Sequence, residues 1–77
     1  MMNKDRRKQV QSIINQLAAL RSDIEDLQSE EEDAFNNLPE SLQESQRGAA
    51  MQDTAQQLGD AASSLDEVVD YLDSVIQ

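Results

Sequence analysis

The sequence predicts an all-α fold, an antiparallel two-helix coiled-coil hairpin that self-associates into a helical bundle. Two long segments carry apolar residues spaced alternately three and four apart, which is the repeat of a helix with one apolar stripe. The only proline and one of the two glycines lie between these segments. With 77 residues, no cysteine and no histidine, the chain lacks the disulfides and zinc ligands that stabilise many small domains. We therefore expect one domain, residues 1–77, that gains stability by association.

The first predicted helix covers about residues 4–36. Ile14 and Phe35 widen an apolar seam formed by Val10, Ile13, Leu17, Leu20, Ile24 and Leu27. The next seam position holds Glu31. Because a buried, unpaired carboxylate would cost several kcal/mol, we expect Arg47 to pair with it across the turn.

The second predicted helix covers about residues 45–76. Its seam consists of Met51, Thr54, Leu58, Ala61, Leu65, Val68, Leu72 and Val75. Four further apolar residues flank this seam along one side, namely Ala55, Ala62, Val69 and Ile76. About three positions in seven are therefore apolar, which is wider than a two-stranded seam requires. This width predicts that the second helix meets more than one neighbour, and that its broad face carries the self-association.

Residues 37–44 form the predicted turn. Pro39 lacks a backbone N–H and disfavours the α conformation at Leu38, so the first helix should end near Asn36. Pro39 should then lie in the first turn of a new helical piece, and Ser45 is a candidate N-cap for the second helix. The pattern leaves open whether residues 38–44 form a helical turn or an ordered loop.

Charged residues gather at the ends of both predicted helices. A basic cluster opens the first helix and an acidic cluster closes the second, namely Lys4, Arg6, Arg7 and Lys8 against Asp66, Glu67, Asp70 and Asp73. An antiparallel hairpin makes the two clusters neighbours. Each exposed ion pair contributes only about 0.2–1 kcal/mol, but together the pairs disfavour a parallel arrangement of the helices.

The composition narrows the classes of function. Sixteen acidic and six basic residues give a formal charge of −10, which argues against direct binding to nucleic acid or to an anionic membrane. The chain shows neither a membrane-spanning apolar run nor a signal peptide, so we expect a cytoplasmic protein. Without histidine, cysteine, a serine–base pair or a glycine-rich phosphate loop, we expect no enzymatic activity, no cofactor and no metal site.

Two groups of residues are candidate binding sites. Ser45 and Arg47, with the free amides of a helix start, have the chemistry of an anion site, to which Arg6 and Arg7 of another chain could contribute. The alternative is that these residues form an ordinary helix cap and structural ion pairs. The second group is an acidic surface that could occupy the basic groove of a protein, and it comprises Glu30, Glu31, Glu32, Asp33, Asp66, Asp70 and Asp73.

The stretch from Ala34 to Ser45, together with Arg47-Gly48 and Ala50-Met51-Gln52, resembles a group of small acidic proteins of phages and prophages. The shared motif reads Leu-Pro-Glu-Ser-Leu-Gln-Glu-Ser-x-Arg-Gly, and the resemblance extends over nearly the whole chain. Gln46 departs from it, because that group has an acidic residue there. The resemblance implies a phage-type origin and the cytoplasm of a host cell, and it implies no activity.

Three functions are compatible with these observations. The first is stoichiometric binding of a host protein through the acidic surface, which would counter a host defence system. The second is an oligomer that sequesters a phosphate-containing immune signal, such as a nucleotide, in pockets between subunits. The third is a structural coiled-coil adaptor or assembly factor. In all three, we expect the chain to form a homo-oligomer.

Overall fold

The protein consists of two long antiparallel α-helices joined by one short helix. The computed structural model describes residues 2–77, in which α1 is Lys4–Asn36, α2 is Glu40–Gln43 and α3 is Gln46–Ile76. α1 and α3 pack along their length, and the Cα atoms extend over 59 × 14 × 12 Å. The predicted all-α hairpin is therefore confirmed for this part of the chain.

Side chains cap both long helices at their first residues. The Asn3 side-chain oxygen accepts a hydrogen bond from the Arg6 backbone N–H at 2.8 Å. The Ser45 hydroxyl accepts one from the Gly48 N–H at 3.4 Å, as expected for an N-cap. These bonds satisfy backbone donors that have no partner within the helix.

The turn contains one further helical turn, α2, so residues 38–44 are not a simple loop. Pro39 stands at the N-cap of α2 with extended backbone (ψ 147°), one position earlier than predicted. The Gln43 side-chain amide donates to two carbonyl oxygens in the last turn of α1, those of Phe35 (3.3 Å) and Asn36 (3.4 Å), and to that of Leu38 (3.1 Å), just beyond α1. The Phe35 carbonyl also accepts from the Leu38 N–H at 3.0 Å, so the Gln43 side chain adds donors at a helix end whose last carbonyls have no partner further along the helix.

A different stripe closes α1 against α3 from the one predicted. In α1, Ile14 is buried, and Val10, Leu17, Ile24 and Phe35 are half-buried. The predicted seam residues Ile13, Leu20 and Leu27 are instead 46–53% exposed. The positions of α1 that face α3 therefore lie four residues after Val10, Leu17 and Ile24. The apolar pattern predicted instead the positions that lie three residues after them.

α3 shows the same displacement, and small residues explain it. Gly48, Ala55 and Ala62 are buried and lie seven residues apart on one stripe of α3, where Ala55 and Ala62 face α1 and Gly48 faces α2. Small side chains at this spacing let α1 approach closely along its length. By contrast, Val68 and Val75 are 43% and 50% exposed, although both belong to the predicted seam.

Two contacts define the register of the hairpin. Arg21 forms an ion pair with Asp66 at 2.5 Å, and Gln28 lies against Gly59. Residues whose numbers add up to about 87 are therefore opposite each other, and Gln77 lies level with Val10. No helix within residues 2–77 is long and apolar enough to cross a membrane.

Candidate functional site

An apolar stripe that takes no part in closing the hairpin is exposed on each long helix. It consists of Ile13, Leu20 and Leu27 in α1 and of Ala61, Val68 and Val75 in α3. We call these six residues the outer face. Each of them lies three residues after a half-buried seam residue of its helix, so all six occupy the same position of the seven-residue repeat.

Both halves of the outer face lie on the same side of the two-helix layer. An antiparallel pair is related by an approximate two-fold axis perpendicular to its plane, and this rotation leaves each side of the layer in place. With the observed register, Ile13 is level with Val75, Leu20 with Val68, and Leu27 with Ala61. The six side chains therefore form three apolar rows on one side of the hairpin.

Charge is distributed unevenly along the hairpin. Residues 22–65, which form the turn end and the middle, hold eleven of the sixteen acidic residues and one of the six basic residues. We call this part the acidic half. The remainder, at the end with both termini, holds five acidic and five basic residues. The whole net charge of −10 thus belongs to the acidic half.

The predicted acidic surface divides between these two parts. Glu30, Glu32 and Asp33 are exposed and Glu31 is half-buried, all within the acidic half. Asp66 and Asp70 are exposed and Asp73 is half-buried nearer the end with both termini, about 15–30 Å away along the helices. The structure therefore gives two separate acidic clusters, and only the first lies in a region of uncompensated charge.

The basic cluster does not pair with the acidic end of α3, contrary to prediction. The register places residues 4–9 of α1 beyond Gln77, so this segment projects about 9 Å past the end of α3. Across residues 2–77, no ion pair joins Lys4, Arg6, Arg7 or Lys8 to an acidic side chain. α1 is longer than α3 at this end, which the apolar pattern did not reveal.

Ser45 and Arg47 stand at the turn, at the opposite end of the hairpin from Arg6 and Arg7. The Ser45 hydroxyl donates to the Leu42 carbonyl oxygen and accepts from Gly48, so it serves as a cap. Arg47 is exposed, and among the described residues it does not form the expected ion pair with Glu31. The four basic and hydroxyl residues therefore do not form one site within a single chain.

Arg21 is an important residue that the sequence analysis missed. Its guanidinium binds Asp66 of α3 at 2.5 Å and Glu25 of α1 at 2.6 Å, and all three side chains are 39–50% exposed. Arg21 is the only basic residue between Lys8 and Arg47, within a predominantly acidic sequence. This isolation could have identified it as the residue that pairs with an acidic side chain of the other helix. Such a half-exposed pair contributes about 0.2–1 kcal/mol and fixes the register more than the stability.

The side of the hairpin opposite the outer face is polar. A shallow groove of about 400 Å³ runs along it between α1 and α3, lined by residues that include Gln28, Glu32, Gln52 and Gln56. Within residues 2–77, no three acidic side chains converge closely enough to hold a metal ion. The hairpin is therefore an amphipathic layer with one apolar side and one polar side.

The arrangement has the chemistry of a binding surface in two parts, one apolar and one anionic. No protein-family model matches this chain, and neither a curated protein nor a solved structure matches it significantly.

Proposed function

We propose that this chain is a non-enzymatic binding protein of phage type, which self-associates through its outer face and binds a basic host protein through its acidic half. By occupying the partner's basic groove it would counter a host defence system. The observation that carries this proposal is the concentration of the entire net charge of −10 in residues 22–65.

The acidic half offers a basic partner a dense and accessible set of carboxylates. Around the turn these include Glu30, Glu32, Asp33, Glu40, Glu44 and Asp53, all of which are exposed. Arg47 is the only basic residue among them. Uncompensated charge of one sign attracts a surface of the opposite sign and raises the rate of association.

The outer face supports the self-association. A soluble single chain gains nothing from three apolar rows in water, and burying one leucine or valine contributes about 1.5–3 kcal/mol. Our proposal extends the surface expected from the sequence, which was the broad face of the second helix. Exposed apolar residues lie on both helices, which supports an association surface that includes α1 as well.

The experiment is affinity capture from a bacterial lysate on immobilised protein, followed by elution with increasing salt. We expect the captured protein to be basic, to elute over a moderate rise in salt, and to be displaced by DNA, since both ligands would occupy one groove. Capture that is insensitive to salt and to DNA would contradict the acidic mechanism.

A matched pair of variants locates the surface. Glu30→Gln, Glu32→Gln and Asp33→Asn together remove three charges from the acidic half and should abolish capture. Glu67→Gln, Asp70→Asn and Asp73→Asn remove three charges from the other end, spare the Arg21–Asp66 ion pair, and should leave capture nearly unchanged. Equal losses in the two variants would show that only total charge matters.

A second function has one observation in its favour. Arg6 lies seven residues before Ile13 and Arg47 fourteen residues before Ala61, so the two arginines continue the stripes of the outer face at opposite ends of the hairpin. Only different copies could bring them together, as a phosphate-binding pocket between subunits requires. Calorimetry with cyclic nucleotides and ADP-ribose derivatives tests this function, and the absence of heat with all of them would oppose it.

A further inference from the structure

We propose that two copies of this chain dock through their outer faces in opposite directions, so that the turn of one hairpin lies beside the terminal end of the other. The result is a four-helix bundle in which α1 packs on α1 and α3 on α3. This inference rests on the self-association in the proposed function, and it adds the orientation and the contacts.

The apolar residues match when a two-fold axis passes through the row of Leu20 and Val68. Each residue of α1 then faces the residue whose number makes a total of 40, so Ile13 faces Leu27 of the second copy and Leu20 faces itself. In α3 the total is 136, so Val68 faces itself and Val75 faces Ala61. All six residues of the outer face acquire an apolar partner.

The charges select this orientation over the reverse one. If both turns pointed the same way, the two acidic halves would be superposed, each with its net charge of −10. In the opposite orientation, each acidic half lies mostly over the electrically balanced end of the other copy. Like charges are then farther apart, which favours this orientation at moderate ionic strength.

The projecting segment of α1 finds a partner in this arrangement. Arg6 lies seven residues before Ile13 on the same stripe and faces Ala34 of the second copy. Glu30 and Glu31, four and three residues before Ala34, are its neighbours on the preceding helical turn. The exposed side chains of Glu30 and Arg6 have no ion-pair partner among the described residues of one chain. Docking supplies one to both, twice in each symmetric dimer.

The size of the face fits such a dimer. A side of 59 by 14 Å, measured between the outermost Cα atoms, has a flat area of about 800 Å². The docked copies overlap over residues 4–36 of α1 and 59–77 of α3, about four fifths of this area, or about 650 Å². Stable interfaces bury about 600–1,000 Å² on each partner. Tyr71, at 75% exposure, lies beside Val68 and Val75, where an aromatic ring can cover the edge of the interface.

Distances between spin labels test the orientation. A nitroxide is attached to Glu40→Cys at the turn of an otherwise cysteine-free chain, and the distance within the dimer is measured by pulsed electron resonance. We expect about 60 Å, from forty residues at the helical rise. A distance of about 10–20 Å, which includes the width between packed helices, would overturn the orientation while leaving the self-association intact.

A cross-link gives an independent result. The double variant Arg6→Cys with Ala34→Cys should form a doubly linked dimer on oxidation, because the two positions face each other only between oppositely oriented copies. Within one chain, or between copies with turns aligned, they lie about 42 Å apart. Failure to link in a dimeric sample would overturn the proposed contacts, and a monomeric sample would overturn the self-association as well.

A charge-reversal cycle tests the Arg6 contact. Arg6→Glu should weaken the dimer about tenfold, since two contacts are lost, and Glu30→Arg in the same chain should restore most of that loss. Lys4→Glu is the matched control, because it changes the same charge on the opposite side of α1. Equal effects of Arg6→Glu and Lys4→Glu, or no restoration, would contradict the contact.

Discussion

Gly48 is the residue at which the turn leaves no room for a side chain. A Cβ atom built there would lie 2.2 Å from the Gln43 carbonyl oxygen and 2.8 Å from that of Leu42. Both neighbours are backbone atoms, which cannot rotate away. The glycine is therefore required by the close approach of α2 to the first turn of α3, and its φ is not positive.

We predict that Gly48→Ala destabilises the hairpin by about 1–3 kcal/mol, because the turn must move to admit the methyl group. Gly59→Ala is the control. Its Cβ would meet only the Gln28 side-chain amide, at 2.9 Å, and that flexible group can shift. Alanine has the higher helix propensity, so Gly59→Ala should be neutral or stabilising by up to about 1 kcal/mol. Urea unfolding at one protein concentration measures both changes.

Gln43 is a second residue whose role depends on the folded turn. Its amide donates to the carbonyls of Phe35 and Asn36 in the last turn of α1, a task that a carboxylate cannot perform. We predict that Gln43→Glu lowers the free energy of unfolding by about 1–3 kcal/mol. Gln57→Glu adds the same charge at an exposed position of α3 and should cost much less. Similar melting temperatures for the two variants would argue against the capping role.

At the residue scale, the sequence was a partial guide. Ser45 was recognised as a cap because the chemistry of an N-cap is local. The predicted pair of Arg47 with Glu31 was wrong, and Gln43 and Gly48 were given no such roles. These three depend on where carbonyls and side chains lie around the turn, and residue spacing alone does not specify those positions.

The helices themselves follow closely from local signals. The bounds of α1 and α3 agree with the expected 4–36 and 45–76 to within one residue. The pairing of their faces did not follow as closely. In α1 the stripe three residues after the seam is apolar, whereas the stripe four residues after it includes Arg21 and Gln28, so the apolar pattern favoured the first. The small buried residues Ala55 and Ala62 of α3 selected the second.

Neighbouring alanines in α3 test which pairing is correct. Ala62 is 5% exposed against α1, whereas Ala61 lies on the outer face. We predict that Ala62→Met destabilises the hairpin by about 1–3 kcal/mol through overpacking. Ala61→Met should leave the hairpin stable, because its side chain points away from α1. Thermal unfolding of both variants decides the matter, and the reverse order of stabilities would restore the seam predicted from the sequence.

At the scale of the whole molecule, the hairpin buries very little. Only Ile14, Ala55 and Ala62 are buried apolar residues in the described chain. A core of this size barely offsets the entropy of ordering the chain. The sequence indicated this need for a partner through its length and its wide apolar stripes, but not the division of those stripes between an inner seam and the outer face.

The candidate site was also predicted only in part. The acidic cluster from Glu30 to Asp33 lies where the sequence placed it, at the end of α1. The second predicted cluster, Asp66 to Asp73, lies where acidic and basic residues are equal in number. The linear sequence did not distinguish this compensated cluster from the uncompensated one. The difference depends on the register, because the register decides which charges of α1 and α3 are level with each other.

Sedimentation equilibrium of the purified protein, beside its Leu20→Glu variant, tests the outer face most directly. The wild-type protein should have the mass of at least two chains of 8.6 kDa. Leu20→Glu should be monomeric and still helical by circular dichroism, whereas Ser22→Glu, which adds the same charge elsewhere on α1, should remain associated. A wild-type protein that is a fully helical monomer at high concentration would contradict the account.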